Sequence, residues 1–311
     1  MVKLAKMETL IVNTNQNADH IRISSELYDD LSELDDVFLQ KTINWKKIAV
    51  HKTIILPSPS PKNILILLLC LILNKKIFIG IHDVEGHEQK DKKKVQIYNN
   101  VVTKLATGVI VYSEFSRRQL QNHFPLNGSI FTYYFVAAEL TQSPSVKESA
   151  DYKADILYFG RANEYSGRDN LEHIVKLLPE KKFLLMGAGL PERLAQYENV
   201  TLLNRRFTDF ELHQALSYGP TVIFPYNSAT QSGGIPLAIS YCCNIVFFDV
   251  GGLRDQLRNY PSTSVPPTDL EAFCRALQLI NSKVDSRDRD KWVDEIKSEN
   301  RRNLVELIGG N

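Results

Sequence analysis

The chain has 311 residues, enough for two domains of ordinary size. Its 43% apolar and 23% charged residues are those of an ordinary globular protein, and a formal net charge of +1 gives no support to a nucleic-acid partner, which goes with a strong basic excess. Cys70, Cys242, Cys243 and Cys274 fit no metal or redox spacing, so a reducing, cytoplasmic compartment is the simplest expectation.

In chain order, short β-branched runs alternate with helical stretches. The N-terminus lacks the long apolar stretch and cleavage site of a signal peptide. "TLIVNT" (9–14) reads as a strand and "HIRISSELYDDLSEL" (20–34) as a helix. "KTIILP" (52–57) is a strand stopped by "PSPSPK". The most hydrophobic stretch, "ILILLLCLIL" (64–73), ends at Asn74, Lys75 and Lys76. It is shorter than the about 20 residues that cross a bilayer, and predicts a buried helix. A peripheral membrane contact through it, or through the basic run "KDKKK" (90–94), is the lesser alternative. The strand "KIFIGI" (76–81), a helix over 92–106 and the strand "GVIVYS" (108–113) follow. Ser113 is a good N-cap for "EFSRRQLQNHF". Asn127-Gly128-Ser129 is a turn before the strand "SIFTYYFV" (129–136).

Residues 137–154 are polar and without strong period, as in a linker. The alternation then restarts: "DILYFG" (155–160), helix 168–178, "KFLLMG" (182–187), helix 191–197 and "VTLLN" (200–204). Thr208 and Glu211 form a capping box for "TDFELHQALSY". "TVIFPY" (221–226), an apolar helix over 235–243 that takes in Cys242 and Cys243, and "NIVFFDV" (244–250) come next. "GGLRDQLRN" turns into a helix, Thr268 and Glu271 form a second capping box, and a polar helix closes the chain near 288–308. The alternation predicts two α/β halves with parallel sheets covered by helices. The expected division is 1–140, a linker 141–154, 155–287, and a C-terminal helix 288–311 packing back on the N-terminal domain.

In open parallel sheets ligands bind beyond the carboxyl ends of strands, so residues just after each strand carry the functional argument. "NSATQSGGIPLA" (227–238) lies between a strand and a helix. Free N–H groups at that helix start, Gly233 and Gly234, and the hydroxyls of Thr230 and Ser232 suit an anion such as a diphosphate. The plainer reading is a tight turn. Arg161, directly after another strand of the same half, shifts the balance, because a guanidinium pairs bidentately with phosphate. Gly187 and Gly189 follow a third strand, where a flat base can lie against bare backbone. Neither glycine motif matches a dinucleotide fingerprint or a P-loop.

"ILYFGRANEYSG", "FLLMGAGLP", "NRRFTDFELHQAL", "FPYNSATQSGGIPLAIS" and "VGGLRDQL", in this order and spacing, resemble glycosyltransferase family 4. "IFIGIHDVEGHE" and "LATGVIVYSEFSRRQL" resemble that family's N-terminal domain, so the likeness covers about residues 76–257. The resemblance implies a GT-B fold, two Rossmann-like domains with parallel sheets facing a central cleft. It implies a retaining, metal-independent glycosyltransferase without cofactor. That enzyme moves sugar from a UDP- or GDP-type nucleotide sugar to a saccharide or lipid-linked saccharide acceptor, in bacterial surface polysaccharide assembly. Domain closure would exclude water during transfer. Arg161 would then neutralise the donor diphosphate, Gln231 would stand near the donor sugar hydroxyls, and His82 near the reacting sugar with Asp83 and Glu85 beside it. Ser232, Gly233, Gly234 and Ile235 would line the sugar and diphosphate, and Arg206 and Phe207 would approach the base. Three positions depart from the family pattern: Ser166 replaces a basic residue, with Arg168 as a nearby substitute; Gln231 replaces the first acidic residue of a pair; Ile239 replaces the second. The rival readings are a nucleotide-sugar epimerase on the same fold and a non-catalytic subunit bound to a partner transferase.

Overall fold

The computed structural model describes residues 9–14, 18–34, 36–84, 89–137, 152–280 and 283–309, without the side chains of 18–21 and 89–91. They fall into two compact units, Met1–Phe135 with Ile296–Asn311, and Val136–Glu295. Most of the expected linker, residues 138–151, lies outside the described residues.

In the first unit, β1 (Thr9–Val12), β2 (Val37–Gln40), β3 (Thr53–Leu56), β4 (Lys76–Ile81), β5 (Gly108–Val111) and β6 (Ser129–Thr132) form one parallel sheet of order β2-β1-β3-β4-β5-β6. Alternate side chains serve opposite faces, the period-two rule of a strand. Leu10, Ile54, Leu56, Ile77, Ile79, Val109 and Val111 join one core cluster, while Ile11, Ile55, Phe78 and Ile110 join the other. The first is covered by α2 (Trp45–Val50), α3 (Lys62–Ile72), α4 (Gln89–Leu105) and α5 (Glu114–His123). The second is covered by α1 (Ala18–Ser32) and by Leu304 and Leu307 of the last helix. Ser113 caps α5, its hydroxyl accepting from Ser116 N at 3.1 Å.

The second unit repeats the plan with β7 (Ile156–Phe159), β8 (Phe183–Met186), β9 (Val200–Leu203), β10 (Thr221–Phe224), β11 (Ile245–Phe248) and β12 (Thr263–Val265). All are parallel, in the order β12-β11-β10-β7-β8-β9. Its helices are α6 (Arg168–Leu177), α7 (Asp209–Ser217), α8 (Gly234–Ser240), α9 (Leu253–Gln256) and α10 (Leu270–Leu279); α11 (Ser286–Gly309) closes the chain. Each unit is thus a doubly wound α/β sheet, as the strand–helix alternation predicts.

Four expectations are corrected, and three elements are added. Residues 191–197 form a 3-10 turn, Glu192–Gln196, in which Leu194 N donates to Pro191 O at 3.0 Å and Tyr197 N to Leu194 O at 3.3 Å, bonds that span three residues and not four. The helix expected over 235–243 stops at Ser240 in a Schellman motif, with Cys242 at φ 54°, Cys242 N donating to Ile239 O and Cys243 N to Ala238 O. Cys242 and Cys243 therefore lie past the helix end. The cap of α10 is Asp269, which accepts from Ala272 N at 2.8 Å; Thr268, at φ 68°, sits one residue too early to cap it. The edge strand β2 and helix α2 between the first two predicted strands, and the edge strand β12, carry no long apolar pattern and escape the sequence reading. Finally, α3 is not buried all round: Leu65 is 60% and Ile72 81% exposed, since only one side of the helix meets the sheet.

Candidate functional site

Chain order reverses between β7 and β10 in the second sheet, so the loops after these strands flank a crevice at their carboxyl ends. These two loops are joined directly. Asn227 N and Ser228 N donate to Tyr165 O at 2.8 and 3.2 Å, and Asn170 Nδ2 donates to Pro225 O at 2.9 Å. Gly167 permits this approach: at φ 72° an added Cβ would stand 1.7 Å from Pro225 O. The β8 loop stacks on the other side of the β7 loop. Gly160 N donates to Met186 O and Ala162 N to Ala188 O, both at 3.0 Å, and a Cβ on Gly187 would lie 1.8 Å from Gly160 O. A Cβ on Gly189 would lie 2.4 Å from Ala162 O, and Asn204 Oδ1 accepts from Gly189 N and Leu190 N at 3.0 Å each. Gly187 and Gly189 therefore let the loops stack backbone on backbone.

Arg161 projects from this stack. It is exposed, and its guanidinium makes no hydrogen bond or ion pair among the described residues. The basic groups around it differ: Arg168 pairs with Asp169 at 3.7 Å, and Arg205 with Glu211 at 2.5 Å. Arg206 is exposed and its guanidinium likewise unpaired, while Phe207 meets Phe159 edge-on with ring centroids 6.5 Å apart.

The β10–α8 loop is held from beneath. Gln256, 7% exposed, accepts from Ser232 N at 2.7 Å and donates to Ser232 O at 3.2 Å. Ser232 Oγ accepts from Gly234 N at 3.3 Å and Ser232 O from Ile235 N at 3.3 Å. Burial pushes the nearby Tyr226 hydroxyl up to about 12, against a lowering by Ser232, so it stays a neutral donor. These bonds occupy the first N–H groups of the seven-residue α8 and leave Gly233 N without a protein acceptor among the described residues. Gly233 is exposed, and a Cβ there would meet nothing within 4 Å. Gly234 instead lies against Phe159 and Phe224, 3.1 Å from an added Cβ. Thr230 and Gln231 are half-buried in the same loop, whereas Ile235 and Ile239 are fully buried in the core.

Ser166 sits inside the β7 loop, 2% exposed. Its hydroxyl donates to Asn163 O at 3.0 Å and accepts from Asn163 N at 2.9 Å and the Tyr158 hydroxyl at 3.2 Å. Gln256, Asn163, Asn170 and Asn204 were not singled out from sequence. Asn163 closes its own turn, its Oδ1 accepting from Ser166 N at 3.0 Å, whereas Gln256, Asn170 and Asn204 each shape a loop through bonds to backbone 14 to 55 positions away, which no local spacing announces.

In the first unit, His82 and Asp83 follow β4 and are half-buried. His82 Nε2 lies 3.3 Å from Pro57 O, which also accepts from the Tyr112 hydroxyl, and the His82 ring packs on Tyr112 at 4.4 Å. Asn99, 1% exposed, donates to Asp83 O and Val84 O at 3.1 Å each, fixing the turn. Glu85 lies outside the described residues. Among the described residues, no group of three or more His, Cys, Asp or Glu side chains is placed to hold a metal ion.

No protein-family model matches the sequence, and neither does any curated protein. Solved structures do match. A glycosyltransferase from Rickettsia africae superposes with a TM-score of 0.68 at 13% identity, over 99% of this chain and 100% of that one. HepE from Anabaena, crystallised with UDP-glucose, gives 0.63 at 12% identity over 98% and 100%. A candidate UDP-N-acetylglucosamine 2-epimerase from Listeria monocytogenes gives 0.61 at 10% identity over 98% and 95%. At these identities the likeness is one of fold: the chain has the two parallel α/β sheets of the GT-B glycosyltransferases.

Proposed function

We propose that this protein is a glycosyltransferase that moves a sugar from a nucleoside-diphosphate sugar to a hydroxyl of a saccharide or lipid-linked saccharide acceptor. The observation that carries the reading is Arg161: a guanidinium unpaired among the described residues, on glycine-stacked loops, at the point where strand order reverses. An anionic ligand gives that charge a partner, and the open Gly233 N–H lies on the loop across the crevice.

In the proposed reaction the bond between the anomeric carbon and the diphosphate oxygen breaks, and its electron pair stays on the diphosphate. Arg161 and Gly233 N–H stabilise that growing charge. The acceptor oxygen forms the new bond to the anomeric carbon with retention of configuration, and its proton passes to the departing phosphate oxygen. Gln231 hydrogen-bonds the donor sugar, Arg206 and Phe207 take the base, His82 stands near the reacting sugar, and Asp83 serves the acceptor side. Surface polysaccharide assembly and family 4 membership are part of this proposal and rest on the sequence resemblance, and a cytoplasmic place rests on the cysteine pattern.

Thermal shift against UDP, GDP, ADP, CMP and their common sugars tests the donor site. One nucleotide should stabilise the protein, and Arg161→Ala should weaken its binding about tenfold or more. No stabilisation by any of them would sink the reading and leave a non-catalytic binding subunit. Incubating the stabilising sugar nucleotide without acceptor separates the second reading, suggested by the epimerase-like neighbour. An epimerase converts the donor alone, whereas the transferase needs the acceptor.

A further inference from the structure

Between Asp36 and Asp83 the sequence has no carboxylate and seven lysines, in a chain whose net charge is +1. The same segment holds the largest exposed apolar stripe of the described residues. Leu65, Leu68 and Ile72 recur at i, i+3 and i+7 on one face of α3, with exposures of 60%, 46% and 81%. The opposite face, Ile66, Leu67 and Cys70, is buried against the sheet. A helix apolar all round is ordinarily buried all round, so its outer face lacks its medium. Helices α2 and α4 pack on the same side of the sheet through Ile48 and Val102, and expose Trp45, Val50 and Ile97. Lys46 and Lys47 of α2 and Lys62 at the start of α3 are exposed beside them. Beyond the end of α3, Lys52, Lys75 and Lys76 line a depression with Leu73 and Asn74.

We propose that this face of the first unit lies on an anionic lipid bilayer, with the α3 stripe entering the boundary between headgroups and acyl chains and the lysines holding acidic headgroups. No helix among the described residues is long and apolar enough to cross a membrane, so the mode is interfacial. Charge decides against the obvious competitor. A second copy on this face would set lysines against lysines with no carboxylate from this segment to pair them, whereas an anionic bilayer complements both the stripe and the charge. The Trp45 ring, 48% exposed, suits the headgroup level, where indole is favoured. The lysine-lined depression is at the amino ends of β3 and β4, and His82 follows the carboxyl end of β4. The docking face is therefore distinct from the proposed acceptor-side residues, and the inference does not rest on the glycosyl-transfer reading.

Co-sedimentation of the whole chain with vesicles of phosphatidylcholine alone, or mixed with phosphatidylglycerol, tests it. The protein should pellet with the mixed vesicles, release as salt rises, and leave the neutral ones in solution. Leu68→Ser with Ile72→Ser should weaken partitioning about tenfold or more. Lys46→Gln with Lys47→Gln should weaken it about fivefold per lysine, at an unchanged melting temperature. If the leucine and isoleucine variant does not fold, the lysine variant still decides, since both side chains are exposed on α2. Absence of binding, equal binding to neutral vesicles, or binding that neither variant alters would each overturn the proposal. So would a dimer by light scattering that Ile72→Ser dissociates while vesicle binding is absent, which would assign the face to a second copy.

Discussion

Gly233 and Gly167 stand on facing loops of the same crevice, and an added methyl group separates their roles. Gly233 has φ −65° and ψ −18°, a conformation any residue adopts, and its Cβ would project into open space. Gly233→Ala should leave the melting temperature unchanged or slightly raised, because it narrows the unfolded ensemble by about 0.4–1 kcal/mol. It should still weaken nucleotide binding severalfold in calorimetric titration. Gly167→Ala should destabilise by about 2 kcal/mol or more in thermal denaturation, because the loop must move away from Pro225 O. The sequence shows both as glycines after strands. Which one faces solvent and which faces another loop depends on a strand more than fifty positions away, beyond local pattern.

At the scale of one element, α7 illustrates a cap that reaches past its own helix. Thr208 and Glu211 form the capping box, and Glu211 also holds Arg205 at 2.5 Å, shaping the turn that carries Arg206 and Phe207. The Arg205 guanidinium, then the Thr208 N–H, holds the Glu211 carboxyl down to about 2. A carboxylate depressed in the folded state contributes its stability in full above its unfolded pKa of about 4.3, and loses it as pH falls through the folded value. The melting-temperature difference between the native chain and Glu211→Gln should therefore be constant above about pH 5 and shrink toward pH 2. A difference independent of pH would refute the assignment. The T-x-x-E spacing made the box legible. The Arg205 pairing was not, because its side-chain direction follows from the path of the chain after β9.

For the whole molecule, the last helix decides how the first unit is completed. Asn300 is fully buried, donating from Nδ2 to Tyr134 O at 2.8 Å and accepting from Tyr134 N at 2.9 Å. Leu304 and Leu307 enter the core cluster with Ile11, Leu27 and Ile55. Leu304→Ala should cost about 2–5 kcal/mol of the first unit's stability, and Asn300→Ala about 1–3 kcal/mol through the buried groups it leaves unpaired. In scanning calorimetry both variants should lower one transition and spare the other. Equal displacement of all transitions would count against this local role. Read in isolation, α11 is a polar helix, and its few apolar positions find their partners about 170 to 300 positions earlier.

The alternation of β-branched runs with helical stretches was enough to specify parallel α/β sheets, since a strand buried on both faces must be apolar throughout and needs a crossover to its parallel neighbour. It also located the loops after β7, β8 and β10, where glycine, hydroxyl and guanidinium side chains concentrate. The tertiary structure alone decided which strands neighbour one another, and so where the order reverses and which loops share a crevice. It buried Ser166, left the Arg161 guanidinium without a partner among the described residues, seated Gln256 under Ser232, and turned one side of α3 outward. The physical reason is common to all four. Burial and pairing are properties of the whole packed chain, and the partners come from positions that local periodicity does not join.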